Sequence, residues 1–426
     1  TGEVTHPLPG TAFLESVSAF KDNIWVIATW ADRPESLLRI SPDGQITTIV
    51  AGEPLPAAVT PSSRWATGAA GPVQSWFYAP RDSDVLPPLV VMTHGGPTAA
   101  TQSSYDRQVQ FWVSRGFAVL DVNYSGSTGF GRAYRDRLKH QWGVLDVSDV
   151  IAAVLEVTGA GDADPARVAI TGGSAGGYTT LQALVTSDVF AAGISSYGIA
   201  DLRTLATDTH KAESRYTDSL VGPWPEAEQT YLDRSPITQL DNLSTPMLIL
   251  QGLQDKVVPP NQAFAMADAV RAKGMPLALV TFEEEGHGFR ALATRHKTLA
   301  AKLSFLQQVF GLEHSNDVPV IEIEQPAGDA GQGDFAAVLV LELVQAAFAA
   351  AVAEGLPFVA RHARKRLRLP ETGRKAAAVD RIRHVRARTA RACAQSLSIW
   401  LTSASSESSF SSGRRYSTRP TDSVAP

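Results

Sequence analysis

The stretch "VAITGGSAGGYTTLQALV" (168–185) sets four glycines and one serine between two apolar runs. Glycine is spent where the backbone must take positive φ or approach another group closely. "VAIT" reads as a buried strand and "YTTLQALV" as the start of a helix, so the bend falls at Ser174. A phosphate cradle would need a Lys-Ser/Thr pair after the glycines, and none follows. The remaining reading is G-x-S-x-G at Gly172–Gly176 in a strand–turn–helix setting. That is a nucleophile elbow, which lifts a serine hydroxyl above the end of a sheet.

A serine hydroxyl is a poor nucleophile at neutral pH. It needs a base, and the base needs an orienting acid. On a sheet of this type the chain order is serine, acid, histidine, each beyond a later strand. "LILQGLQDKVVPP" sets Asp255 three residues after one apolar run, and "LVTFEEEGHGFR" sets His287 just past the next. Taken singly, each has a plain alternative as a loop carboxylate or a loop histidine; together, in this order, they form a triad. Glu283–Glu285 read as a solvated acidic loop and Trp142 as packing.

The surrounding pattern supplies the sheet. "PLVVMTH" (88–94), "FAVLDVN" (117–123), "VAITG" (168–172), "AGISSY" (192–197), "PMLILQG" (246–252) and "LALVTF" (277–282) are nearly continuous apolar runs, as expected of parallel strands buried on both faces. Helical stretches alternate with them. In "DVSDVIAAVLEV", Val147, Val150, Ile151, Val154 and Leu155 fall on one stripe, with Asp146 as the expected N-cap. "NQAFAMADAVRAKG" (261–274) is a second helix, stopped at Gly274. The fold class is therefore α/β, a mostly parallel sheet covered by helices on both faces, with ligand chemistry at the strands' carboxyl ends. Ahead of it, 12–50 read as short antiparallel strands around an "SPDG" turn, and "QSWFYAP" (74–80) continues that style.

Composition sets bounds. The chain has 426 residues, 44% hydrophobic and 19% charged, with a net charge of −5, which gives no reason to expect nucleic acid. A single cysteine, Cys393, excludes an intrachain disulfide framework and cysteine zinc clusters, and fits a cytoplasmic setting. No signal peptide is read at the start, and a first residue other than Met points to a fragment or a processed chain. Charge is uneven: 1–311 carry 23 basic and 31 acidic residues, and 312–426 carry 15 and 12. Within the tail, 335–358 are apolar but interrupted by Glu342, Gln345 and Glu354, short of a membrane span. Residues 361–391 hold 12 basic residues, and the Ser-rich end reads as disordered.

A tetrahedral intermediate needs oxyanion donors. The amide of Ala175, next to the nucleophile, is one. For the second, the residues offer both "MTHGGP" (92–97) and Tyr124 in "NYSGSTGFG" (123–131). "HGGP", "NYSGSTGFG", "QWGVLDVSD", "GGSAGGY", "QGLQDKVVPP" and "EEGHGF", in this order over roughly 75–311, resemble the catalytic domain of the prolyl oligopeptidase family, nearest its acylaminoacyl-peptidase and dipeptidyl aminopeptidase branch. The resemblance implies an α/β-hydrolase fold, Ser174 as nucleophile, Asp255 as orienting acid, His287 as base, and Tyr124 with Ala175 as the oxyanion hole. It favours Tyr124 over the "HGGP" loop, leaving His94 to shape that loop. Ser125 stands where the family usually has Arg, and altered loop packing is expected there. The family also carries a β-propeller ahead of this domain, of which 1–74 resemble only a remnant. Three regions are thus expected: 1–74 as partial propeller, 75–311 as peptidase domain, and 312–426 as a tail, partly helical and partly disordered.

The activity implied is hydrolysis of oligopeptide bonds through an acyl-enzyme, with a peptide substrate as partner, no cofactor or metal, no nucleic acid, no membrane, and oligomerisation open. The alternatives are a carboxylesterase with the same triad, or an inactive binding fragment whose basic tail meets an acidic surface.

Overall fold

Short β-branched and aromatic runs between turn residues give four strands, β1 (Phe13–Phe20), β2 (Asn23–Thr29), β3 (Ser36–Ile40) and β4 (Ile46–Ala51), each antiparallel to the next. The "SPDG" turn joins β3 to β4. Gly44 takes φ of 84° there and donates its amide to the Ser41 carbonyl at 2.8 Å. Val26, Ala28, Trp30 and Leu38 form a small core, while β1 is exposed along its length. A four-stranded antiparallel sheet of this kind resembles a β-propeller blade. Trp30 ties it to the rest of the chain by accepting the Tyr105 amide at 2.7 Å.

The structure, a computed structural model, describes residues 8–55, 57–81, 85–208 and 215–325. The apolar 335–358 stretch, the basic 361–391 segment, Cys393 and the Ser-rich end expected of the tail lie outside them. Eight further strands build one sheet: β5 (Ser62–Gly68), β6 (Gly71–Tyr78), β7 (Leu89–Thr93), β8 (Ala118–Asn123), β9 (Val168–Gly173), β10 (Ala192–Ser196), β11 (Met247–Gly252) and β12 (Leu277–Phe282). Their order is β12-β11-β10-β9-β7-β8-β6-β5. From β12 to β8 every pairing is parallel, and β6 and β5 add an antiparallel hairpin. "QSWFYAP" therefore belongs to this sheet, and β6 spans the 74/75 junction expected between regions.

Alternation along each strand feeds two core layers. Leu89 and Val91 of β7 and Met247 and Ile249 of β11 face one layer. Val90, Leu248 and Leu250 face the other. The helices are α1 (Arg107–Val113), α2 (Arg132–Asp136), α3 (Leu145–Gly159), α4 (Ala175–Thr186), α5 (Leu202–Asp208), α6 (Tyr216–Leu220), α7 (Glu228–Asp233), α8 (Pro260–Ala272) and α9 (Leu292–Val309). α3, α4 and α8 cover the first layer through Val154, Leu184 and Met266, and α1 and α9 cover the second through Trp112 and Phe305. This is the α/β-hydrolase fold. Among the described residues no helix is long and apolar enough to cross a membrane.

Two local expectations change. Asp146 is not the N-cap of α3; Val144 is, and Asp146 lies in the first turn, fully buried. Its carboxylate accepts the Gly143 amide and the Thr179 hydroxyl, both at 2.6 Å. The helix is turned so that Asp146 and Asp149 face inward, which leaves Leu155 56% exposed. Residues 312–325 also pack on the sheet. Leu277 and Glu324 exchange backbone hydrogen bonds at the edge of β12, and Ile321 and Ile323 join the second core layer.

Candidate active site

Ser174 sits between β9 and α4 with φ 56° and ψ −122°, a combination costly for a residue with a side chain. The glycines around it show what holds the strain in place. A methyl on Gly172 would collide with the Thr93 hydroxyl and the Gly176 carbonyl, and one on Gly176 with the Thr93 carbonyl. A methyl on Gly173 would lie 2.9 Å from the Tyr197 ring, and one on Gly177 2.7 Å from the Gly198 Cα. Strand, turn and helix are thus pressed together around the serine. Its own amide donates to Ser196 O at 3.0 Å.

The other two sequence-derived residues meet it. Ser174 Oγ lies 2.9 Å from His287 Nε2, and His287 Nδ1 lies 2.8 Å from Asp255 Oδ2. Asp255 is buried, and its second oxygen accepts the amides of Val257 and Val258, both at 2.9 Å. This fixes the carboxylate's orientation. With Asp255 accepting from Nδ1–H, Nε2 is left as the acceptor for the serine hydroxyl. The loops carrying acid and histidine are stitched together, since Gln254 N donates to Glu285 O at 2.9 Å.

Glu285 is a correction to the sequence reading. It is 6% exposed, not a solvated loop carboxylate. It accepts the amides of Arg290 and Ala291 at 2.9 and 3.0 Å, just ahead of α9. Those amides, first that of Arg290, hold its carboxyl below the usual range. Tyr197 was also not singled out. Its ring packs edge-on against His287 and Phe289, each at 5.0 Å.

The two residues expected at the oxyanion hole are placed differently. The Ala175 amide is in the first turn of α4, where helical amides lack intrahelical acceptors. Tyr124, in contrast, is fully buried and donates its hydroxyl to His94 O at 2.7 Å. Its ring stacks on His94 at 4.2 Å. In this structure the hydroxyl points beneath the "HGGP" loop, to the His94 carbonyl. Burial pulls His94 down to about 4, so it is neutral at neutral pH, and its Nε2 lies 2.8 Å from Ser127 Oγ. The loop it braces runs beside the elbow: a methyl on Gly95 would lie 3.8 Å from Ser174 Cβ. Ser125, buried, donates its amide to Asp149 Oδ2 at 2.8 Å, which is how the loop packs without the arginine.

A small cavity of about 40 Å³ opens beside Ser174 and Ala175, walled by Trp142, Ile199, Leu205, Tyr216 and Val258. Trp142 is both packed and part of this wall. Tyr216 and Thr217 of α6 therefore border the serine.

Residues 103–313 match the prolyl oligopeptidase family. The chain is 35% identical over 235 residues to dipeptidyl aminopeptidase BIII of Pseudoxanthomonas mexicana, covering 54% of this chain and 34% of that protein. It is 30% identical over 262 residues to acylamino-acid-releasing enzyme 1 of Oryza sativa subsp. japonica, covering 58% and 34%. Among solved structures, a puromycin hydrolase matches with a TM-score of 0.72 and 38% identity over 75% of this chain and 50% of that one. A puromycin-hydrolyzing peptidase of Mycobacterium tuberculosis matches with 0.70 and 42% over 72% and 48%. The chain spans about a third of the length of those curated relatives and about half of those solved chains. The elbow and both loops lie inside the segment 103–313, which is similar to the prolyl oligopeptidase family.

Proposed function

We propose that this chain is a serine peptidase that hydrolyses short peptides through an acyl-enzyme on Ser174. The observation that carries the reading is the unbroken hydrogen-bond line from Asp255 through His287 to Ser174. His287 Nε2 takes the serine proton as Oγ attacks the scissile carbonyl, and Asp255 holds the ring and stabilises the imidazolium. The oxyanion forms against the Ala175 amide and a backbone amide of the Gly95–Gly96 loop, in place of Tyr124. His287 then protonates the leaving amine, and water attacks the acyl group by the reverse proton path.

The apolar cavity walled by Trp142, Ile199 and Leu205 takes the side chain ahead of the scissile bond, and its small volume favours small or slender residues. Aminoacyl amides are included among the substrates, since two of the structural neighbours act on puromycin, an aminoacyl amide. The four-stranded sheet is assigned to a propeller-type region and 62–325 to the catalytic domain. The single cysteine supports a cytoplasmic setting.

The test compares wild type with Ser174→Ala using a fluorophosphonate label and paired aminoacyl-amide and ester substrates. Labelling and amide cleavage that vanish together in the variant support the peptidase. Ester turnover alone favours the esterase, and folded wild type that takes no label overturns the reading.

A further inference from the structure

A peptidase site has two sides, and they differ here. The acyl side is the small apolar cavity beside Ala175. The amine leaves on the side of His287, which must give it a proton. On that side stands Tyr197, packed against His287 and facing Gly173 so closely that only glycine fits.

Tyr197 is also a wall of two further cavities. The inner, about 280 Å³, reaches Thr171 and Gly173 under the elbow. The outer, about 400 Å³, opens between the starts of α1 and α9. They share Gln108, Ser196, Tyr197 and Lys302 as walls. Volumes of this size fall near those of small-molecule sites, about 300–1,000 Å³.

The chemistry of the outer cavity is one-sided. Arg107, Arg295, His296 and Lys302 line it, and no carboxylate among the described residues does. Lys302 Nζ has the Thr171 hydroxyl at 3.3 Å as its partner. Desolvation lowers this ammonium to about 8, so it remains charged at neutral pH. A desolvated cation without a counter-charge is costly, and an anion beside it relieves that cost. Ser196 and Thr298, 4% and 8% exposed, add hydroxyls in the same walls that have no hydrogen-bond partner among the described residues. Asp121, the carboxylate of the inner cavity, is engaged by the Thr101 hydroxyl.

We infer that the two cavities form a leaving-group pocket selective for peptides that end in a free carboxylate, with Lys302, half-buried and shared by both cavities, as the inner contact and Arg107, Arg295 and His296 at the mouth. The inference deepens the peptidase reading above and rests on it. The scissile bond lies over Ser174, the short peptide remainder passes Tyr197, and its terminal carboxylate meets Lys302. Lys302 and Arg295 determine specificity and take no part in proton transfer.

The test uses the 426-residue chain carrying Ser174→Ala, which binds without turnover, titrated calorimetrically with tri-alanine and with its C-terminal amide. The acid is expected to bind about tenfold more tightly than the amide, equivalent to about 1.4 kcal/mol. Lys302→Met in the same background removes that preference. Arg295→Gln, at an exposed position, keeps the fold secure and reduces the preference two- to fivefold. Equal binding of acid and amide overturns the pocket, as does a preference that survives both substitutions. The reaction is read separately, by wild-type turnover of an aminoacyl nitroanilide, whose leaving group has no carboxylate. Acid preference without turnover keeps the pocket and sinks the peptidase; turnover without acid preference does the reverse.

Discussion

Asp255 uses its two oxygens differently, and this asymmetry decides what a conservative change does. One oxygen is held by the Val257 and Val258 amides, the other by His287. In Asp255→Asn the amide oxygen stays on the two backbone donors and the NH₂ turns to His287. The imidazole must then accept at Nδ1 and carry its proton on Nε2, where it can no longer receive the serine proton. The expected result is a fall in kcat on the order of 10⁴ with near-normal stability, by the reasoning that applies to serine proteases generally. Steady-state kinetics beside a melting curve check it.

His94 gives a pH prediction at the same scale. Its value of about 4 lies below the ordinary 6.5, so the native state binds fewer protons than the unfolded chain between them. Stability therefore falls as pH drops from about 6.5 towards 4, by up to about 1.4 kcal/mol per unit. Asp121 and Asp146 act in the opposite sense. Desolvation raises them to about 7 and about 6, so they favour the native state as pH falls. The His94 contribution is thus visible only as a difference. Between pH 7.5 and pH 5, His94→Gln should lose about 2 kcal/mol less stability than wild type in urea unfolding. Parallel pH profiles for the two proteins would refute it.

Among elements, α9 and the loop before it join stability to the site. Ala291 provides no side-chain cap, and Glu285 does that work from six residues earlier by accepting the Arg290 and Ala291 amides. Glu285→Ala should cost about 1–2 kcal/mol and slow Ser174 labelling, because the same loop carries His287. Glu285→Gln, which keeps one good acceptor, should recover part of both. Loss of stability with an unchanged labelling rate would separate the helix cap from the site.

The element scale also shows what was readable from sequence. Strands buried on both faces leave continuous apolar runs, so β7 to β12 were legible within a residue or two. Ser174, Asp255 and His287 each follow such a strand closely, so their meeting place was legible too. The other residues of the site depend on partners that no local pattern announces. The direction of the Tyr124 hydroxyl is set by the His94 carbonyl, and only the folded chain shows it. Glu285 looked solvated among three consecutive glutamates, yet the backbone of the following loop claims it. Tyr197 directly follows β10 and carries no signal of its own in the sequence. Lys302 sits within α9, and only the burial of its neighbours makes its charge unusual.

At the scale of the whole molecule, the two sheets differ in what supports them. The eight-stranded sheet is covered on both faces, whereas the four-stranded sheet has Val26, Ala28, Trp30 and Leu38 as its buried core. Trp30 is the largest of these and its carbonyl also accepts the Tyr105 amide. Replacing a buried tryptophan by alanine costs about 3–5 kcal/mol, more than so small a core can spare. Trp30→Ala should therefore open the small sheet by itself. Amide exchange across Phe13–Ala51 should accelerate at least about 100-fold, the equivalent of about 3 kcal/mol, while β7 to β11 stay protected and Ser174 labels at its normal rate. The elbow is held by β9, α4 and the Thr93 backbone, which belong to the eight-stranded sheet and its cover and not to the small core. Labelling that falls together with exchange protection would mean that the segment from Ser104 to Arg107, tethered to Trp30, carries support from the small sheet into the active site. The two sheets would then act as one mechanical unit.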